Sequence, residues 1–157
     1  MTVTRKGSFR IDERMLKIKN AKRLLPLLLG NTAKNHFLKG FRIGGRRTDA
    51  SRSGWAKRKR DFDIEKKGNK WVKRNNKGRA ILVKDGDLRA SIKVRNRNLN
   101  RLVVGTSGIR YAQIHNEGLR GKAFGKIPFK MPKREFIGNS KILERKLAVI
   151  IRRELFK

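Results

Sequence analysis

The chain predicts an α+β fold: an antiparallel β-sheet with N-terminal helices and a C-terminal helix packed on one face, carrying a long basic loop or hairpin insertion. Three patterns carry that prediction. Leu29, Ala33, Phe37 and Phe41 recur every four residues, the spacing of a buried helical stripe. Ile92 and Val94 alternate with Lys93, Arg95 and Arg97 ahead of a second apolar run, Leu102 to Val104, as a half-buried antiparallel hairpin requires. Behind Ser140, a favourable helix N-cap, Ile142, Leu143, Leu147, Ile150, Ile151 and Leu155 mark an amphipathic helix of about four turns.

The 157 residues suit one domain with one modest core, and the pattern divides it at clear points. Residues 1–11 are mixed and basic and read as an arm or a short edge strand. Residues 12–45 are helical: Asp12 and Glu13 sit where the helix dipole favours anions, and Met15, Ile18, Lys22 and Leu25 follow one stripe. Pro26 either kinks this helix or opens a second one, and Gly40, Gly44 and Gly45 finish the region. Residues 46–79 form a basic loop or hairpin in which Arg46 to Gly54 is loop by composition and Trp55 anchors the chain back to the core. Within it, DFDIEKKGNKWVKR reads either as a hairpin turning at Lys67 to Lys70 or as a loop ordered only against a partner. Residues 80–138 hold the sheet core, built around 90–105 with 55–60 beside it. There Asp85 or Asp87 caps a short helix carrying Leu88 and Ile92, and Asn96 to Asn100 turns the central hairpin. Residues 139–157 are the C-terminal helix.

Charge bounds the partners. Lys and Arg number 44 against 12 Asp and Glu, so the formal net charge is +32, and repulsion on that scale calls for a neutralising polyanion, nucleic acid by default. With no cysteine there is no disulfide framework and no thiolate chemistry, and His36 and His115 alone are too few for a zinc site. No cofactor is expected. The longest apolar run, Leu24 to Leu29, is broken by Pro26 and falls short of the roughly 20 residues of a spanning helix, so no membrane partner is expected either. The N-terminus also lacks the apolar core of a signal peptide.

The most specific stretch runs from Arg101 to Gly138. Leu102 to Val104 is a β-branched run, and Gly105, Thr106, Ser107 and Gly108 follow as a turn. Tyr111, Ile114 and His115 then fall on one helical face, and Pro128 and Pro132 stiffen an anchored loop tethered by Phe136, Ile137 and Gly138. The run V-G-T-x-x-x-x-Y-A-x-I-H-x-x-G from Val104 to Gly118 is preceded by G-D-L-R-A-S-I from Gly86 to Ile92. It is followed by P-x-R-x-F-I-G-x-S from Pro132 to Ser140.

On these three motifs, in this order, the chain resembles the virion morphogenesis or tail-completion proteins of Mu-like tailed bacteriophages, over roughly Trp55 to Phe156. It departs from them in the length and basicity of Lys57 to Arg79, and in having Lys141 and Ile142 where acidic residues are expected after Ser140. The resemblance implies structural roles for Trp55, Gly86, Leu88, Ser91, Gly105, Tyr111, Ala112, His115, Gly118, Pro132, Arg134, Phe136 and Gly138. It implies a structural subunit of the phage neck or upper tail, located in the virion and assembled in the host cytoplasm. Such a subunit forms a homo-oligomeric ring, expected to be a hexamer, in contact with other neck and tail proteins and close to the double-stranded DNA path. A sixfold ring would carry a formal charge of +192, six times +32. The alternative, on charge alone, is a stand-alone sequence-independent nucleic-acid-binding protein.

Two constellations invite chemistry. His115, Asn116 and Glu117 resemble the metal-binding helix of small nucleases, but such a site needs further His or Asp ligands. Glu135, Asp87 and Asp85 show no ligand spacing, so His115 reads as a packing or hydrogen-bonding residue and Glu117 as a partner for a nearby cation. No G-x-x-x-x-G-K-[ST] phosphate loop is present, and no enzymatic activity is expected. The second constellation is basic: between Lys57 and Arg79, 11 cations oppose 3 acids, a net of +8 over 23 positions. The candidates for DNA-backbone contact are Lys57, Arg58, Lys59, Arg60, Lys66, Lys67, Lys70, Lys73, Arg74, Lys77 and Arg79, with Lys93, Arg95 and Arg97 on the neighbouring strand. Trp71 in their midst either stacks on a base or a neighbouring subunit, or is a hydrophobic anchor.

Overall fold

The computed structural model describes residues 11–45, 54–58, 62–75, 79–123 and 126–156. The expected arm therefore lies outside the described residues except for Ile11, which opens the first helix. That helix, α1 (Ile11–Arg42), runs through Pro26 without ending. Proline has no N–H to give the Lys22 carbonyl one turn earlier, and Lys22 is exposed at the helix surface. Of the two readings of Pro26, a kink or the start of a second helix, the second is thus excluded by one continuous element.

Burial along α1 is uneven. Ala33, Phe37 and Phe41 are buried as their spacing predicts, with Leu29 half-buried in line with them. Every residue from 11 to 20 is exposed, Met15 and Ile18 of the expected stripe among them, and only Leu25 of that stripe is buried. The periodicity was sufficient for a helix and silent on whether anything packs against it.

The strands form three separate two-stranded antiparallel sheets among the described residues, rather than one joined sheet. The first is β1 (Phe62–Lys67) with β2 (Lys70–Asn75). The turn is Gly68-Asn69, with positive φ at Gly68 (62°) and not at Asn69, the pattern of a type II′ hairpin turn. The second joins β3 (Ile92–Arg97) to β4 (Leu102–Thr106) with a bulge between Val94 and Asn96. Here Ile92 is buried and Val94 half-buried while Lys93, Arg95 and Arg97 are exposed, as the alternation predicts. Its turn is shorter than expected, Asn98 to Arg101, closed by the Asn98 N–H on the Arg101 carbonyl (3.2 Å) and by the Asn98 side chain accepting from the Arg101 N–H (2.5 Å). Gly105 and Thr106 belong to β4, opposite Lys93 and Ile92, so the turn after this strand starts at Ser107, not Gly105.

The third sheet, β5 (Arg120–Ala123) with β6 (Ile127–Lys130), replaces the stiffened loop read from the sequence. Four-residue strands containing Gly121 and Pro128 give no period-two signal, and Pro128 is tolerable because a lone pair of strands is all edge. Gly54 to Arg58, expected beside the central sheet, is irregular, and residues 59 and 60 lie outside the described residues.

Two short helices complete the middle of the chain: α2 (Asp87–Ala90) and α3 (Ala112–Glu117). Neither Asp85 nor Asp87 caps α2; Gly86 occupies the N-cap without a side-chain bond, and Ile92 falls in β3 beyond the helix. The last element, α4 (Lys141–Leu155), starts at Ser140, whose Oγ accepts from the Leu143 N–H at 3.3 Å.

α1 is the common support, packing on β3, β4 and α4. Gly30 makes the closest approach possible: a Cβ there would stand 3.1 Å from Val94 Cγ1 and 3.3 Å from Leu102 Cδ1, so a larger residue would push the central hairpin off the helix. One core cluster joins Ala33, Phe37 and Phe41 to Trp55, Leu88, Ile92, Ala112, Phe136 and Leu143. Its centre is aromatic, with Phe41 edge-on to Trp55 at 5.3 Å and tilted against Phe136 at 5.5 Å.

Candidate functional site

The motif residues converge on one place. Trp55 is 8% exposed; its N–H donates to the Gly44 carbonyl (2.7 Å) at the end of α1 and its Nε1 donates to the Glu135 carbonyl (3.0 Å). Arg134, only 7% exposed, donates through Nε to the Ala56 carbonyl (3.0 Å) and through Nη2 to the Lys57 carbonyl (3.4 Å). Its backbone N–H donates to the His115 carbonyl at 2.8 Å. Asn116 Oδ1 accepts from the N–H groups of both Phe136 and Ile137, at 2.9 and 3.0 Å. Gly118, with φ of 73°, ends α3 in the left-handed region and lies so close to Lys133 that a Cβ would meet its backbone at 2.9 Å.

From the other side come Leu88, buried on α2, and Ser91, whose Oγ donates to the Leu88 carbonyl (2.7 Å). Ala112 is buried on α3, Tyr111 stands at its N-cap, and half-buried Pro132 and Gly138 flank Arg134 and Phe136 on the irregular segment before α4. Asn116 was the structural residue that sequence reasoning missed. Its only signal was its position between His115 and Gly118, which first pointed to metal chemistry.

That chemistry is not assembled. Asn116 Oδ1 is engaged by two backbone donors, and Glu117 accepts from Gln113 (3.3 Å) one turn earlier rather than from the cation expected for it. Among the described residues no group of three His, Cys, Asp or Glu side chains is placed to hold a metal ion. The His115 ring meets Tyr111 edge-on at 5.7 Å, and its buried Nδ1 has no hydrogen-bond partner. Burial, and then the charge of Arg134, lower its pKa below the ordinary histidine value, which favours the neutral imidazole.

His115 and Tyr111 line a cavity of about 460 Å³ with Arg58, Arg79, Arg134, Asp85 and Asp87. Burial and the neighbouring Asp87 and Asp85 carboxylates raise the Tyr111 pKa, while burial and Arg58 lower that of Arg134. Leu82, also in the wall, is held at φ of 60°, a strained setting for a residue with a side chain. The guanidiniums here act as ties. Arg58 donates to the carbonyls of Arg79 (2.7 Å) and Ala80 (2.6 Å), Arg79 donates to the Lys84 carbonyl, and Asp85 pairs with Arg74 (3.5 Å) and Arg79 (3.9 Å).

The fourteen basic candidates therefore separate by geometry. Lys59, Arg60 and Lys77 lie outside the described residues. Arg58, Arg74 and Arg79 hold loop to loop as above, and Arg95 reaches across its own hairpin to the Thr106 carbonyl. Lys57 is exposed, although its carbonyl is taken by Arg134. Lys66, Lys67, Lys70 and Lys73 are exposed on the β1–β2 hairpin, and Lys93 and Arg97 on β3. Trp71 stands among the hairpin lysines 66% exposed, so it is not a buried anchor among the described residues.

A family model for the phage virion morphogenesis family matches residues 45–156, nearly all of the chain beyond α1. The chain belongs to that family, and membership gives it a structural or assembly role in the phage virion. No curated protein and no solved structure matches it. Among the described residues, no helix is long and apolar enough to cross a membrane.

Proposed function

We propose that this chain is a non-enzymatic subunit of the neck or upper tail of the virion, closing into a ring near the path of the DNA and contacting other neck and tail proteins. The observation that carries this reading is charge: a formal +32, with outward cations on β1–β2 and β3, in a chain whose family builds virions. A subunit so charged repels its copies, and a polyanion held near the ring axis offsets that repulsion in every subunit at once.

The test is assembly together with salt dependence. Light scattering and negative-stain images of the purified protein should show a closed ring. Affinity for duplex DNA of any sequence should fall roughly 10³ to 10⁵-fold between about 50 and 200 mM salt if each subunit covers about six to ten phosphates. A monomer that binds duplex and never closes would transfer the chain to the stand-alone nucleic-acid-binding class. A flat salt response would remove DNA from the reading.

A further inference from the structure

The β1–β2 hairpin has two unlike faces. Alternation along paired strands puts Ile64, Lys66, Trp71 and Lys73 on one face, since Lys66 is opposite Trp71 and Ile64 opposite Lys73. By the same register Lys67, Lys70, Val72 and Arg74 belong to the other. That face is tied to the rest of the chain, through Arg74 to Asp85 at 3.5 Å. The first face is turned outward, with Trp71 66% and Ile64 58% exposed.

A two-stranded hairpin is marginally stable in water by itself, and neither strand here packs extensively on another helix or strand. An outward face with a large aromatic ring, an aliphatic side chain and two lysines suits a partner that is both anionic and able to take apolar contact. Duplex DNA supplies both: phosphates for the lysines and the sugar wall of a groove for the indole. Six-residue strands reach about 20 Å, and a groove about 12 Å wide admits a two-stranded ribbon.

We propose that the Ile64, Lys66, Trp71 and Lys73 face of this hairpin is a sequence-independent contact surface for double-stranded DNA, with Trp71 packed against a groove wall. The proposal rests on the DNA-facing part of the function proposed above and names the element that makes the contact.

Two matched double variants of the full chain test it, each removing one positive charge and one apolar side chain. Lys66→Gln with Trp71→Ala alters the outward face; Lys67→Gln with Val72→Ala alters the other. Titration of a short mixed-sequence duplex should show the first weakening binding roughly tenfold and lowering the slope of log affinity against log salt by about one, the second changing affinity less than about twofold. All four side chains are exposed, so both variants should fold, which circular dichroism checks. In the unaltered protein, duplex should shield from acrylamide the indole emission that Trp71→Phe removes. Equal losses from the two variants, or unchanged quenching of that emission, would overturn the assignment of the face while leaving DNA contact by the chain intact. Absence of duplex binding by the unaltered protein at low salt would overturn both.

Discussion

The chain's two tryptophans sit in opposite surroundings. Trp55 is 8% exposed, edge-on to Phe41, with its indole N–H on a carbonyl; Trp71 is 66% exposed on a hairpin whose neighbours are lysines. The cations around them differ in the same way. Near Trp55, Arg58 and Arg134 spend their N–H groups on carbonyls of segments that have no regular partner. On the outward hairpin face Lys66 is exposed on a strand already satisfied by its neighbour, so its charge is directed to solvent or to a partner. In a chain this basic, positive charge by itself therefore does not identify a binding residue. What separates a tie from a contact is whether unpaired backbone carbonyls lie within reach.

Mutation of the two regions should separate them cleanly. The largest effect is expected at Phe136→Ala, which empties the centre of the aromatic cluster and should lower stability by about 3–5 kcal/mol in urea denaturation. A loss under about 1 kcal/mol would show that the core does not depend on the motif segment. Asn116→Ala comes next: it leaves the N–H groups of Phe136 and Ile137 without their acceptor and should lower stability by about 1–3 kcal/mol, with Asn116→Asp recovering much of it. Should alanine prove neutral, the segment is held by its aromatic contacts alone.

A smaller effect is expected with pH. The folded-state pKa of His115 is depressed, so below the unfolded value of about 6.5 the unfolded chain binds the proton more readily than the folded one. The stability tied to this group is complete above about pH 6.5 and is lost as pH falls through the depressed folded value. His115→Gln should remove that part of the acid-side slope; an unaltered slope would place the acid sensitivity elsewhere. The smallest effect is expected at Trp71→Ala, within about 0.5 kcal/mol, because the ring is exposed. A loss comparable to that at Phe136 would mean that Trp71 is part of the folded body and would dissolve the contrast between the two regions.

How much was legible depended on the range of the signal. The Ala33, Phe37 and Phe41 stripe, the Ser140 cap and the alternation from Ile92 to Arg97 each rest on residues within a turn or two of one another and appear in the fold as read, and of the two readings of the stretch around Lys67 to Lys70 the hairpin is the one observed. The three motifs likewise led to the family that the chain belongs to. The β5–β6 hairpin did not announce itself, since Gly121 and Pro128 interrupt strands of four residues, and neither did the exposure of the first turns of α1.

The amino-acid sequence by itself determined the α+β class, the main buried helical stripe, the start of the last helix and a formal charge of +32. Periodicity, capping and net charge are properties of short windows or of the whole composition, and need no neighbour. Tertiary structure alone decided which arginines are ties, that the strands divide into three sheets, and that Asn116 is a clamp instead of a ligand. Each of those outcomes depends on which carbonyl or N–H group comes within about 3 Å of a side chain. Arg134 finds the carbonyl of Ala56 across 78 residues of chain, a distance no local pattern encodes.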